Sequence, residues 1–497
     1  MAPTLTTTAV VVVLLLVVTT VQPLRPPVNT PLDQYVKAHD PHYNWTVLPW
    51  THRGPDFTLY AINMTSQKWL TEAESSQPIW WHYMYVAVPD NLSRPDAGAL
   101  YISYGSNGND FIPDVGDEFI SFISLMAVST GTVCANLRQI PNQPIVFKND
   151  PTQEVRSEDA VIAWTWYQFI QNNGSADWLL RLPMTKAAVR AMDTITAFTK
   201  TLHPEVTISK FMVMGESKRG WTTWTTAAVD SRVVAIVPMV MDLLNIVENL
   251  HHHYQSLGGW TFAFNDYYAL NITMHLDNPR TQEMADIIDP YTYRDRLRFP
   301  AKYIISTGGD EFFLPDDSYY YFAAMTGDIH LRTIPNAEHS LTYHRPDIFF
   351  GVRAFFISVI DKLQRPNITW TKSWTKSGAM LTVFASEEPL EVNVHFAKTI
   401  DGESKRDFRL ACADPYNPDG FLIHPVFWEK RPVNTTSSVE YFTSFDNPET
   451  GWIAFHIHVL FKGPDGSDYE YTTENVITPN RLPYDRCAGD ACYGRLV

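Results

Sequence analysis

Between residues 83 and 340, short runs of apolar, β-branched and aromatic residues alternate with longer stretches whose apolar positions recur every three or four residues. The short runs are 83–88, 100–104, 132–137, 208–214, 233–241, 302–307 and 330–335. The longer stretches include 157–170, opened by Ser157 as a helix cap, and a face made by Val189, Met192, Ile195, Phe198 and Leu202. Strand followed by helix, repeated in this way, predicts an α/β chain with a mostly parallel sheet covered on both faces, because parallel neighbours need a long crossover and a helix supplies it.

Two segments depart from this alternation. Residues 243–298 are aromatic and asparagine-rich, with no strand pattern, and lie between two strands; such an insertion predicts a cap over the active-site end of the sheet. Beyond about residue 365 helical periodicity disappears. Runs at 379–384, 390–396, 438–441 and 452–459 recur between Pro, Gly and Asp turns, predicting a small antiparallel β-sandwich. The expected organisation is a leader over 1–22, an α/β domain over 23–364 and a β-rich domain over 365–497.

The leader rests on residues 9–18, an unbroken apolar stretch too short to span a bilayer comfortably and followed by a polar segment ending at Pro23. Although no Lys or Arg precedes it, it reads as a secretory signal peptide, so no stable membrane insertion is expected after cleavage. Seven Asn-x-Ser/Thr acceptors, at Asn44, Asn63, Asn91, Asn173, Asn271, Asn367 and Asn434, fit a glycosylated extracellular chain.

Composition narrows the function. With 497 residues, 45% of them hydrophobic, the chain is long enough for one large core or two. A formal charge of −16 and a pI near 5.4 argue against nucleic acid and anionic membrane as partners, since phosphate binding needs a concentrated positive field. Four cysteines are too few for a disulfide framework. Cys487 and Cys492 are close enough to close a small loop, Cys134 reads as a buried thiol, and Cys412 would pair with it only if two domains met. No spacing marks a zinc site. His251, His252 and His253 carry no metal reading, because consecutive helical side chains diverge and no acidic partner stands at ligand spacing. No glycine-rich nucleotide loop is present, so no cofactor is expected.

The candidate chemistry lies at strand ends. Gly215-Glu216-Ser217-Lys218-Arg219-Gly220 follows the apolar run 211–214 and precedes an alanine- and threonine-rich helix. Strand, tight turn and helix would lift the Ser217 hydroxyl above the sheet and aim a helix amino terminus at it. A serine needs a base, and the base needs an orienting carboxylate. Asp310 ends the strand 304–307 through two glycines, and His339 follows the strand 331–335, giving the order Ser, Asp, His. Asp316 and Asp317 are rival acids, and Glu338 reads as solvated. For the oxyanion, the Lys218 amide is one donor, and Ser106 or Asn107, in the turn after the strand at Leu100, is the other. The elbow has arginine where the second glycine usually stands. Arg219 is either accommodated by small neighbours or points into the pocket to bind a substrate carboxylate.

With these residues assembled, the chain resembles the PhoPQ-activated pathogenicity-related protein family, which includes proliferation repressors. The matching residues are 65–69, 79–82, 215–221, 228–233, 236–238, 289–291, 309–313, 315–318, 335–340 and 406–409. The resemblance implies an α/β-hydrolase-type domain with a β-rich carboxyl-terminal domain, agrees with the triad placement, and makes the longer elbow a family feature. The expected function is a secreted serine hydrolase cleaving an ester or peptide bond of a small-molecule or peptide substrate. Its rival is a secreted signalling protein that uses the hydrolase fold to bind a cell-surface receptor.

Overall fold

The computed structural model describes residues 29–108, 115–400, 402, 404–414, 416–417 and 420–497, so the apolar leader lies outside the described residues. Its centre is a nine-stranded mixed sheet. The strands are β1 (Asn44–Gly54), β2 (Phe57–Lys68), β3 (Ile79–Pro89), β4 (Ala97–Ile102), β5 (Val133–Leu137), β6 (Lys210–Glu216), β7 (Val233–Met239), β8 (Ala301–Thr307) and β9 (Ile329–Ile334), in spatial order 1-2-3-5-4-6-7-8-9. From β5 to β9 every neighbouring pair is parallel, whereas β1, β2 and β3 pair antiparallel. An exchanged inner pair, antiparallel strands at one edge and parallel strands beyond are the α/β-hydrolase arrangement.

Strands β4 to β8 are almost wholly buried, as parallel strands covered on both faces must be. One face is covered by α1 (Glu118–Thr130) and α7 (Arg345–Ile360), the other by α2 (Glu158–Ile170), α3 (Arg181–Leu202) and α4 (Lys218–Val229). Alternate residues of β6 show the division. Phe211 and Val213 join the core that holds Ile195, Phe198 and Trp224, whereas Met212 and Met214 join the core that holds Phe119, Ile123 and Phe355.

Two strands, the edge strand β1 and its neighbour β2, lie upstream of the stretch the sequence pattern identified. Exposure alternates along β1 over long polar and aromatic side chains, so no continuous apolar run marks it. Between β7 and β8 the chain forms the cap. It contains α5 (Ile246–Leu257), α6 (Pro279–Ile288) and several single turns, with no strand.

The carboxyl-terminal region is a pair of antiparallel sheets built from β10 (Ile368–Trp374), β11 (Gly378–Ala385), β12 (Glu391–Lys398), β13 (Glu429–Pro432), β14 (Asn434–Ser437), β15 (Glu440–Asp446), β16 (Ile453–Lys462), β17 (Asp468–Thr472) and β18 (Val476–Thr478). One sheet has the order 10-11-15-14; the other runs 13-12-16-17, with β18 also on β16. The region does not stand apart from the α/β domain. Leu381, Val394, Phe455 and Ile457 belong to the same apolar cluster as Phe355 and Met212, and Thr472 Oγ1 accepts the Thr333 N–H at 3.0 Å.

The last residues then leave the β region and fasten the cap. Trp260 donates its N–H to the Arg495 carbonyl at 2.8 Å and accepts from the Val497 N–H at 2.8 Å, and its indole donates to the Cys492 carbonyl at 2.9 Å. Cys487 and Cys492 form a disulfide within this clamp, packed with Trp260, Phe264 and Leu276. A five-residue loop of this kind is worth about 2 kcal/mol by chain entropy. Replacing both cysteines with serine is therefore expected to loosen the tail and the cap before the sheet, read as faster proteolytic cleavage near the carboxyl terminus. Among the described residues no helix is long and apolar enough to cross a membrane.

Candidate active site

The elbow is built from strain and two close approaches. Ser217, between β6 and α4, has φ 54° and ψ −124°, a conformation that costs a non-glycine residue about 1–3 kcal/mol and is kept only where surroundings impose it. A Cβ on Gly215 would meet the Arg219 carbonyl oxygen at 2.8 Å and the Arg219 Cβ at 2.9 Å. Gly215 thus makes the room that the usual glycine at position 219 would make. A Cβ on Gly220 would meet the Met239 carbonyl oxygen at 2.9 Å. The glycine one residue later is therefore the one at which helix α4 crosses β7. Glu216 ties the turn down, accepting from Tyr101 Oη at 2.6 Å and from two nitrogens of Arg345 at 2.9 and 2.6 Å.

The three sequence candidates meet at this end of the sheet. His339 Nε2 lies 2.8 Å from Ser217 Oγ, and His339 Nδ1 lies 2.9 Å from both oxygens of Asp310. A carboxylate only accepts, so Nδ1 carries the proton and Nε2 is left to accept from the serine hydroxyl. Asp310 is held by the N–H groups of Phe312 and Phe313 at 2.8 and 3.1 Å. Glu311 accepts the His339 main-chain N–H at 3.0 Å. Burial opposes a charged imidazole at His339, but the Asp310 carboxylate, its hydrogen bond and the Glu311 charge together outweigh it and raise the pKa above the ordinary value.

Other assignments shift. Asp316 pairs with His252 at 3.1 Å and with Arg406, and Asp317 accepts the Leu314 N–H at 2.9 Å, so neither serves His339. Asn107 is spent on structure. Its main-chain N–H donates to the Gln143 carbonyl at 2.5 Å, and its side chain joins Asn142 and Gln139. Ser106 Oγ accepts from Gly108. Neither lines the space beside Ser217. Tyr104, two and three residues earlier, does line it, and its main-chain N–H meets no acceptor among the described residues. The strand end was correctly located from sequence, but which amide of the following turn is left over depends on Gln143, 36 positions beyond Asn107.

Arg219 is buried and faces the same space, yet its charge is taken. Nε donates to the Ile140 carbonyl at 2.5 Å and Nη2 to Glu158 at 2.5 Å. Lys218 Nζ pairs with Glu158 at 2.9 Å and Asp159 at 2.8 Å. Burial works against the Glu158 carboxylate, but Arg219 and Lys218 together hold it well below the ordinary range. The His triplet does have acidic partners, brought from afar: Asp277 at 2.8 Å from His251 and Asp316 at 3.1 Å from His252. Atoms of His252, Asp316 and Asp317 lie within 4.8 Å of one another, and the Arg406 guanidinium on Asp316 supplies positive charge there.

Ser217 stands between two spaces. One is lined by Tyr104 and by the ionisable side chains of Glu158, Arg219, His339 and Arg345. The other is a cavity of about 60 Å³ under the cap, lined chiefly by Trp166, Trp221, Leu250, Phe264, Met284 and Phe312, large enough for about four waters or a short apolar group.

Residues 32–409 match the PhoPQ-activated pathogenicity-related protein family. The chain belongs to this family. It is 38% identical over 473 residues to autocrine proliferation repressor protein A of Dictyostelium discoideum, covering 93% of this chain and 92% of that protein. Among solved structures it is similar to acetyl xylan esterase 1 from Thermoanaerobacterium sp. (14% identity, 67% of this chain and 94% of the other, TM-score 0.41) and to an S-formylglutathione hydrolase from Agrobacterium tumefaciens (14% identity, 64% and 99%, TM-score 0.40). In this family member the elbow's Gly-x-Ser-x-x-Gly spacing has the steric basis given above.

Proposed function

We propose that this protein is a secreted serine hydrolase that cleaves an ester or peptide bond next to a short apolar group. The observation that carries the reading is the continuous relay from Ser217 through His339 to Asp310 at the mouth of the apolar cavity. In the reaction, Ser217 Oγ adds to the substrate carbonyl carbon as His339 Nε2 takes its proton. The oxyanion is received by the Lys218 N–H, a first-turn donor of α4 with no acceptor among the described residues, and by the Tyr104 N–H. His339 returns the proton to the departing alkoxide or amine, and the acyl group leaves Ser217 when water attacks by the same route.

The test is labelling by a fluorophosphonate probe. The parent protein is expected to label and Ser217→Ala is not; equal labelling of both, or of neither, overturns the reading. A pH profile adds a second check. His339 acts as a base only when neutral, and its pKa is raised, so kcat/KM is expected to fall as pH drops through a value above the ordinary histidine pKa of about 6.5. An acid limb at or below that value would contradict the role given to Asp310.

Secretion is supported by the leader and by acceptor asparagines that lie on the surface: Asn44, Asn91, Asn173, Asn271, Asn367 and Asn434 are exposed and Asn63 is half-buried. A second reading, an extracellular growth-restraining signal, is favoured by the name of the Dictyostelium relative. The two readings separate in a proliferation assay comparing parent with Ser217→Ala protein.

A further inference from the structure

The apolar cavity beneath the cap is lined by one cation that pairs with no carboxylate among the described residues. Arg181, at the start of α3, is 2% exposed and lines this cavity together with Ser217. No carboxylate among the described residues comes within the 4.0 Å of an ion pair. Its Nη1 donates to the Lys218 carbonyl at 3.2 Å and lies 3.3 Å from Met184 Sδ, and its guanidinium lies over the Trp221 ring at 4.3 Å. Nε is buried and donates to nothing, and Nη2 has no acceptor among the described residues. Nε and Nη2 form a single edge of the guanidinium, the edge whose two parallel N–H groups grip a carboxylate.

The charges around the elbow give the same answer. Arg181, Lys218 and Arg219 are three cations; Glu158 and Asp159 are two anions, and both anions are bonded to Lys218 or Arg219. Glu158 and Asp159 are thus matched by Lys218 and Arg219, and neither pairs with Arg181. Asp159 also faces the cavity, but it is occupied by Lys218 at 2.8 Å and by Tyr267 Oη at 2.8 Å. Burial lowers Arg181 to about 10, which leaves it charged at neutral pH. A buried charge without a partner is unfavourable in a finished protein and reasonable in one that awaits an anion.

We propose that the Nε–Nη2 edge of Arg181 binds a carboxylate carried on the apolar part of the substrate. This rests on Ser217 as the reacting residue and names the substrate class: esters or amides of short acids that bear a second carboxylate. Arg181 bonds the carbonyl of the residue next to Ser217 and lines the same cavity, so one short substrate can reach both. A half-ester of a short dicarboxylic acid has that shape, with its methylenes against Trp166 and Trp221.

Calorimetric binding to full-length Ser217→Ala protein, in which Ser217 chemistry does not proceed, tests this with monomethyl glutarate against neutral methyl butyrate. The monoanion is expected to bind at least tenfold more tightly, and Arg181→Met in the same background is expected to abolish the difference. Equal binding of the two probes, or a difference that survives Arg181→Met, overturns the proposal. Should Arg181→Met not fold, Arg181→Lys takes its place, expected to lose most of the preference because a point charge lacks the fork; an unchanged preference there is equally fatal. These readouts involve no turnover. Anion preference without fluorophosphonate labelling would therefore remove the hydrolase reading alone, and labelling without anion preference would remove this one alone.

Discussion

Ser217→Ala protein is expected to lose at least about 10⁴-fold in kcat/KM on any ester that the parent hydrolyses, with folding unchanged. The hydroxyl is the group that forms the covalent bond, and nothing adjacent replaces it; the Ser340 hydroxyl bonds to Glu338 and to Thr342, not to His339. Asp310→Asn is expected to approach the same loss by another route. An amide oriented to satisfy the Phe312 and Phe313 N–H donors would turn its NH₂ towards His339 Nδ1, which would favour the tautomer with the proton on Nε2, where it faces Ser217. The two variants then differ in a useful way. Ser217→Ala should be silent to fluorophosphonate at every pH, whereas Asp310→Asn should label slowly and with an acid limb shifted downward, because the carboxylate that raises His339 has gone. Steady-state rates and labelling rates across pH 5–9 measure both. A Ser217→Ala rate within about tenfold of the parent would show that hydrolysis, if seen, belongs to another group.

The relay was legible in the sequence because each member ends a strand. Strand ends at 214, 307 and 335 could be placed from apolar runs broken by glycine or proline-asparagine turns, against the observed ends at Glu216, Thr307 and Ile334, and parallel strands deliver their carboxyl ends to one edge. What the sequence concealed was decided across long separations. The Asn107 amide is consumed by Gln143, the Arg219 charge by Glu158, 61 positions away, and the His252 ring by Asp316, 64 positions away. Local pattern left Arg219, beside the nucleophile, either accommodated by small neighbours or binding a substrate carboxylate; tertiary pairing with Glu158 neutralised it, whereas Arg181, a residue in an ordinary amphipathic helix, meets no carboxylate among the described residues. The antiparallel edge of the main sheet was hidden for a different reason. Strand β1 sets polar beside aromatic side chains and buries only Gly54, so it lacks the apolar density of the central strands, and β2, although it buries Leu59, Ala61, Ile62 and Met64, gives way to polar residues from Thr65 to Lys68.

The elbow also carries the largest stability effect expected of a single small change. Gly220→Val is expected to destabilise the fold by about 3 kcal/mol or more, towards and beyond the upper range for forced overpacking. Its Cβ alone would stand 2.9 Å from the Met239 carbonyl oxygen and 3.0 Å from the Met241 Cβ, and both belong to the backbone region that joins β7 to the cap. No rotamer relieves a contact made by Cβ itself, and the added methyls enlarge it. Moving α4 away from β7 would displace Ser217, whose N–H donates to the Met239 carbonyl at 2.9 Å, so the relay should open as the protein loosens. Helix propensity works in the other direction, since valine is the better helix former by a few tenths of a kcal/mol, far too little to offset the clash. Denaturant unfolding of Gly220→Val beside Gly466→Val is the decisive comparison. Gly466 is at φ 76° with nothing within 4 Å of an added Cβ, so it reports backbone strain without crowding, and only Gly220→Val should lose fluorophosphonate labelling along with stability.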